Sequence, residues 1–237
     1  MEHFDHLTQD LQKFIEQQKV FFVGTATSEG LINISPKGYD SLKIIDKNRI
    51  LWVNLTGSGN ESAAHTQENP RMTLMFTSFE RKPLILRVYG EAKTIHRLDK
   101  EWDILSSNFP PSNASRQIFD LSISLVQTSC GYAVPYYDFK GERDILKKSN
   151  EKAGKDGIQK YWKENNAKSL DGIVTNIEKK NILLHAAYAA LLDSVELQTS
   201  SKIALILSTQ EERRLFEPRM LSLPPARTLS RQFCFDF

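Results

Sequence analysis

Short apolar, β-branched runs recur along the first half of the chain, and turn-forming residues rather than helices join most of them. Residues 20–26 are followed by Ser28-Glu29-Gly30 and a return run over 31–35. Residues 42–45 and 50–55 flank Asp46-Lys47-Asn48-Arg49, and further runs cover 72–76, 84–89 and 123–126. Apolar runs paired around short polar turns read as hairpins, and several of them at regular spacing read as an antiparallel barrel. A doubly wound parallel sheet needs its strands to alternate with helices of roughly 10–15 residues, a pattern absent here. The expectation is a mainly β chain with accessory helices (α+β), its six or seven strands forming one antiparallel barrel. The helices are few. Leu7, Leu11, Phe14 and Ile15 fall at helical spacing within 5–18. Residues 62–68 read as a short helix stopped by Asn69-Pro70, 98–106 as another, and 143–163 as a polar helical stretch.

Charge removes several functions from consideration. The 237 residues carry 31 Lys and Arg against 29 Asp and Glu, a formal net charge of +2. Such a balance offers no electrostatic footprint for nucleic acid or an anionic membrane. The bases between Lys140 and Lys180 are interleaved with Glu142, Asp144, Glu151, Asp156 and Glu164, the pattern of a solvated helix. No apolar run approaches the roughly 18 residues of a membrane span. The acidic, mixed opening Met1-Glu2-His3-Phe4-Asp5-His6 is unlike a secretory signal. Cys130 and Cys234 are the two cysteines. They make neither a disulfide framework nor a zinc site. The cytoplasm is the expected location, with the nucleus also open to the chain, and no metal is expected.

Two segments carry candidate chemistry. In an extended 33–37, Asn33, Ser35 and Lys37 share one face, while Ile32, Ile34 and Pro36 share the other. The apolar face is expected to pack into the barrel. The other offers an amide, a hydroxyl and an ammonium, which suit a phosphate or an electron-rich ring edge, or else simply face solvent. Gly57-Ser58-Gly59-Asn60-Glu61-Ser62 then runs from a strand into a helix, where free N–H groups and the helix dipole attract anions. Ser58, Asn60 and Ser62 could add side-chain hydrogen bonds. The loop matches neither the Walker nor the dinucleotide glycine pattern. Ser58 with Glu61 three residues on also reads as a capping box. His65 follows without a neighbouring nucleophile, so a structural role is its default. Arg87, inside the apolar run 84–89, needs an acidic partner, a ligand anion or solvent. Cys130 has no base near it in sequence, so an inert thiol is expected.

The order of these pieces is informative. Asn33-Ile-Ser-Pro-Lys-Gly38, Trp52 to Leu55, Gly57-Ser-Gly-Asn-Glu-Ser62 with His65, Asn69-Pro-Arg-Met-Thr-Leu-Met-Phe76 and Leu86-Arg-Val-Tyr-Gly90 together resemble the pyridoxamine 5′-phosphate oxidase-like family. Ser129-Cys-Gly-Tyr-Ala-Val-Pro135 and Ser169-Leu-Asp-Gly172 resemble a fungal and bacterial branch of it, distinct from the authentic vitamin B6 oxidases. The resemblance covers about residues 10–172 and implies an FMN-binding split barrel over 1–172. It further implies a homodimer with flavin at the subunit interface. Ser35 and Lys37 would lie on the strand that meets flavin ring and phosphate, and main-chain groups of Trp52 and Val53 would meet the ring. Ser58, Asn60, Glu61 and Ser62 would form the phosphate loop, and Arg87 would reach the ring or ribityl chain. The oxidases carry Arg and Lys where Glu61 and Ser62 stand, and their basic substrate-binding segment has no match here, which argues against vitamin B6 oxidation. The implied activity is an FMN-dependent oxidoreductase acting on a small molecule. The alternative is a flavin- or haem-binding sensor or carrier without turnover. Residues 173–237 depart from the branch as a C-terminal extension, with a helix expected over 181–197, a strand over 203–207, and disorder in part.

Overall fold

A computed structural model describes residues 1–182. Nearly all of the expected 181–197 helix, the 203–207 strand and the disorder expected at the terminus lie outside the described residues. The elements in chain order are β1 (Glu2–Phe4), α1 (Gln9–Gln17), β2 (Phe21–Thr25), β3 (Asn33–Lys37), β4 (Leu42–Asp46) and β5 (Arg49–Leu55). There follow α2 (Glu61–Glu68), β6 (Arg71–Thr77), β7 (Ile85–His96), α3 (Trp102–Ser106), β8 (Ser115–Ser129), α4 (Ile145–Asn165) and α5 (Ile177–Asn181).

The strands form one antiparallel sheet in the order β3-β2-β6-β7-β8-β5-β4, with β1 added on β8. β8 organises it. One edge of its 15 residues pairs with β7, while the other pairs first with β5 and then, beyond Ser122, with β1. The sheet curls around a core that includes Val23, Trp52, Leu74, Phe76, Val88 and Phe119. Trp52 stacks on Phe119 with ring centroids 4.3 Å apart. Such a pair adds about 1 kcal/mol beyond its buried area. The two end strands, β3 and β4, do not pair. Residues 38–41 bridge the gap between them, and the Val53 N–H donates to the Ser41 carbonyl at 2.8 Å. The barrel is therefore split along this line.

β5 is buried on both faces. Ile50 and Trp52 enter the barrel, whereas Leu51 and Val53 join Ile95, Leu105, Phe109 and Ile118 in a second cluster. A strand covered on both sides reads as one continuous apolar run, as 50–53 does. A third cluster joins Ala114 to Ile158, Trp162 and Ile177, so α4 and α5 pack against the start of β8.

The helix expected over 5–18 is shorter. The Leu7 N–H donates to Lys47 O at 2.8 Å and Thr8 caps the helix, so the chain before it belongs to the sheet as β1. The helix expected over 98–106 begins at Trp102, because Asp99 turns back to accept the His96 N–H at 2.8 Å.

The face assignment on β3 is reversed. The alternation holds, but Ile32 and Ile34 are 75% and 70% exposed, and Asn33, Ser35 and Lys37 point to the half-buried side. An edge strand beside an open split offers its inner face to a cavity, where polar groups can meet a ligand, and its apolar residues are left outside.

Gly90 marks the tightest backbone approach. It sits at the bulge where the β7–β8 register shifts, and a Cβ there would lie 2.0 Å from Ser122 O. Gly90→Ala is expected to cost about 2–4 kcal/mol, since backbone rather than a flexible side chain must move. Urea unfolding measures it; an unchanged midpoint would show that the bulge yields freely.

Candidate functional site

The split between β3 and β4 opens into a cavity of about 360 Å³. Asn33, Ser35 and Lys37 line one side, Val53 to Leu55 another, and the loop from Gly57 to Ser62 the floor. Arg116, from the second position of β8, completes it.

The floor is shaped by what lies beneath it. The Arg116 guanidinium, 2% exposed, donates from Nη1 to Gly57 O at 3.3 Å and to Asn166 Oδ1 at 2.6 Å, and from Nη2 to Gly59 O. The Asn166 amide adds Nδ2 bonds to Gly57 O at 3.0 Å and Ser58 O at 3.4 Å. Three successive loop carbonyls thus turn down toward Arg116 and Asn166. In a planar trans peptide the N–H of the next residue points the opposite way. The N–H groups of Ser58, Gly59 and Asn60 therefore turn away from Arg116, and among the described residues they have no acceptor. The start of α2 adds its own unpaired N–H groups and the positive end of its dipole. The C-terminal segment braces this floor: Trp162 Nε1 donates to Thr56 Oγ1 at 2.8 Å, and Asn60 Nδ2 donates to Asn166 O at 3.2 Å.

Two cations meet here, and neither forms an ion pair among the described residues. Burial, and then the neighbouring Arg116 charge, pull Lys37 from its ordinary 10.5 down to about 8. Its Nζ stands over the Trp52 ring, 5.4 Å from the centroid, and has no carboxylate partner among the described residues. Burial pulls Arg116 down to about 9, opposed by Tyr161 and then Glu61. Its Nε is buried and, among the described residues, has no hydrogen-bond partner. A buried, uncompensated charge pair of one sign is costly. An anion in the cavity would relieve it.

Glu61 does not face the cations as a partner. Its two carboxylate oxygens accept the Leu170 N–H at 3.3 and 3.1 Å, which ties the 166–175 segment across the start of α2. The Ser58–Glu61 capping box is therefore not formed. Asn60 is the N-cap, without a side-chain cap bond, because its amide is committed to Asn166.

The other expected site residues divide. Ser35, Lys37, Val53, Ser58, Asn60, Glu61 and Ser62 all line the cavity. Trp52 does not; its ring is in the core and supports Lys37 from below. The Val53 N–H is engaged by Ser41. Arg87 lies on the outer sheet face with Phe22, Met75 and Tyr89, and donates to Ser129 Oγ at 3.2 Å. His65 is buried, with Nδ1 3.2 Å from Thr25 Oγ1; Thr25 and Ser62 in turn accept from Asn33 Nδ2 at 3.1 and 3.2 Å. This network fixes Asn33 at the cavity wall. Cys130 is exposed and forms no disulfide among the described residues. Arg116 has no signal in the hydrophobic pattern, because it stands with Gln117 and Asp120 among scattered apolar residues. Among the described residues no cluster of three metal-ligating side chains occurs, and no helix is long and apolar enough to cross a membrane.

The family model described as pyridoxamine 5′-phosphate oxidase matches residues 7–130, more than half of the chain. The chain belongs to the pyridoxamine 5′-phosphate oxidase family. Within this family it is 29% identical over 188 residues to the family protein ustO of Aspergillus flavus, covering 72% of this chain and 76% of that one. Solved structures similar to it include HupZ of Group A Streptococcus (16% identity, 56% of this chain and 99% of that one, TM-score 0.42). An FMN-binding protein of Syntrophomonas wolfei is also similar (16%, 49% and 81%, TM-score 0.37). So is HutZ, a haem storage protein of Vibrio cholerae (15%, 53% and 97%, TM-score 0.38). The family residues span every strand of the sheet except β1, from the approach to α1 to the end of β8.

Proposed function

We propose that the protein binds flavin through its ribityl phosphate in the Lys37–Arg116 cavity and serves as an FMN-dependent oxidoreductase for a small molecule. The observation that carries this is a pair of buried cations without an ion-pair partner among the described residues, Lys37 at the cavity wall and Arg116 beneath a loop whose N–H groups turn the other way, unpaired. Family membership supports the choice of flavin over another phosphate ester. Lys37, the loop N–H groups and the Ser58 and Ser62 hydroxyls would hold the phosphate, with Arg116 fixing the loop from beneath and adding its positive charge. Asn33 and Ser35, on the same strand face, would orient what is attached to it. Bound flavin supplies hydride acceptance at a ring nitrogen. Lys37, lowered by burial to about 8, is mostly protonated at pH 7 and keeps positive charge beside the site.

A second copy of this chain is the proposed partner. Ile32, Ile34, Phe22 and Met75 form an uncovered apolar face on the outside of β3, β2 and β6, and β3 also lines the cavity. Pairing through this face would bring the partner to the rim of the flavin site. It also gives Arg87 a place in the interface rather than in solvent.

The purified full chain is expected to be yellow, with flavin absorption bands, or to take up FMN stoichiometrically on titration. Light scattering is expected to give twice 27.1 kDa. A colourless protein that takes up no FMN, or one with a haem Soret band, overturns the flavin reading; a monomer overturns the dimer.

A further inference from the structure

β3 carries one wall of the cavity, yet the sheet holds this strand on one side only. Among the described residues it pairs with β2 alone, and its other edge borders the split. Pro36, which has no N–H to offer a neighbouring strand, fits such an edge. Something else must set how far Asn33, Ser35 and Lys37 stand from the phosphate loop across the cavity. Building on the flavin-phosphate reading, we infer that Asp171 does so, as a positioning residue that fixes the β3 wall against the loop.

The contact lies at the turn between β2 and β3. The Leu31 N–H, on the side leading into β3, donates to Asp171 Oδ2 at 3.0 Å. Gly30, with φ at 88°, lets the carboxylate lie against the backbone, and a Cβ there would be 2.7 Å from the same oxygen. The β2 side of the turn is held separately. Glu68, at the end of α2, accepts on Oε1 from the Ser28 N–H at 3.2 Å and from the Ser28 hydroxyl at 2.9 Å.

Asp171 can hold this turn because its own segment is fastened to the opposite wall. Residues 166–175 fold back on themselves: the Ser169 N–H donates to Ile173 O at 2.9 Å, Thr175 to Ala167 O at 2.9 Å and Gly172 to Ser169 O at 3.0 Å. At the tip, Leu170 donates its N–H to Glu61 at the start of α2, and the next residue, Asp171, takes Leu31. At the base, Asn166 holds the loop carbonyls. One short hairpin thus joins the phosphate loop to the β3 turn without passing through the sheet. The carboxylate's charge alone would act the other way, since it repels a bound phosphate. The sign of the effect on binding therefore separates positioning from electrostatics.

Fluorescence titration of the full chain with FMN tests this. Asp171→Ala is expected to weaken FMN binding roughly five- to ten-fold, the scale of one lost hydrogen bond. Asp171→Asn keeps an oxygen that can accept from Leu31, and it is expected to bind FMN as tightly as the wild type. Gly30→Ala, which puts a methyl against the carboxylate, is expected to reproduce the Asp171→Ala loss by a second route. In a Lys37→Met background the loss from Asp171→Ala is expected to shrink to about two-fold or less, because the displaced wall no longer carries the ammonium. Wild-type or tighter FMN binding in Asp171→Ala or Gly30→Ala overturns the inference and leaves the phosphate site standing. Equal losses in Asp171→Asn and Asp171→Ala, or a loss undiminished in Lys37→Met, also overturn it. A wild-type chain that takes up no FMN overturns both readings.

Discussion

Arg116→Met is expected to lower FMN affinity roughly 100-fold, equivalent to about 2.7 kcal/mol, and to cost about 3 kcal/mol of folding stability. The two losses have one origin. The guanidinium is the donor for Gly59 O and, with Asn166, for Gly57 O. Methionine fills similar space but offers no donor, so the Gly59 carbonyl is left buried and unsatisfied. The loop then has no reason to keep its carbonyls down and its N–H groups toward the cavity. Removing a buried charge regains some desolvation energy, which is why the stability loss is not larger. Arg116→Lys separates the contributions: it restores charge but not the fork that reaches two carbonyls, so affinity should recover more than the unfolding midpoint. Fluorescence titration and urea unfolding measure the two. Wild-type FMN affinity in a folded Arg116→Met protein would remove Arg116 from the site.

The barrel was legible because its signal is local. Hairpin turns at Ser28-Glu29-Gly30 and Asp46-Lys47-Asn48-Arg49 and the runs beside them required no tertiary information. The long strand β8 was legible only at its end, over 123–126, and the reason is physical. Its first half carries Arg116, Gln117 and Asp120, which break an apolar run, yet Arg116 and Gln117 are buried. Gln117 Oε1 accepts from Asn54 Nδ2 at 3.1 Å, and Asp120 holds Arg49 at 2.7 and 2.8 Å. Polar residues buried with partners far away in sequence look like surface until the fold supplies those partners. The missed half-strand and the missed cation are therefore one omission.

The same distance hid the meaning of Glu61. Read in its loop, Glu61 is a carboxylate where the oxidases carry a base, which argues against vitamin B6 oxidation. In the fold it accepts the Leu170 N–H, 109 residues away. It thereby fastens the segment whose Asn166 turns the loop carbonyls down. Residues beyond the family-matched barrel thus position the floor of the cavity from below. The positive charge needed at the phosphate comes from β3 and β8 rather than from the loop itself. Polarity along β3 was legible from spacing alone, but not which face turned inward, since that depends on the split beside it.

Raising the pH above 8 is expected to weaken flavin binding and, in the ligand-free protein, to strengthen the fold. Lys37 is held at about 8 in the folded chain against an ordinary 10.5. Between those values the unfolded chain keeps a proton on this lysine that the folded chain has lost. Stability therefore rises with pH across that window, and below about 8 the cost of burying the charged ammonium is present in full. Binding runs the other way, because a phosphate is held by the protonated amine. Affinity should fall by at most about ten-fold per pH unit from this group as pH rises past 8. Lys37→Met should flatten both trends. It should raise the unfolding midpoint of the free protein at pH 7, since an uncompensated cation is gone, and lower FMN affinity there by about 10- to 100-fold. Titrations and urea melts at pH 7, 8 and 9 on both proteins supply the measurement. An FMN affinity that is flat across this range, or equally steep in Lys37→Met, would show that Lys37 does not hold the phosphate.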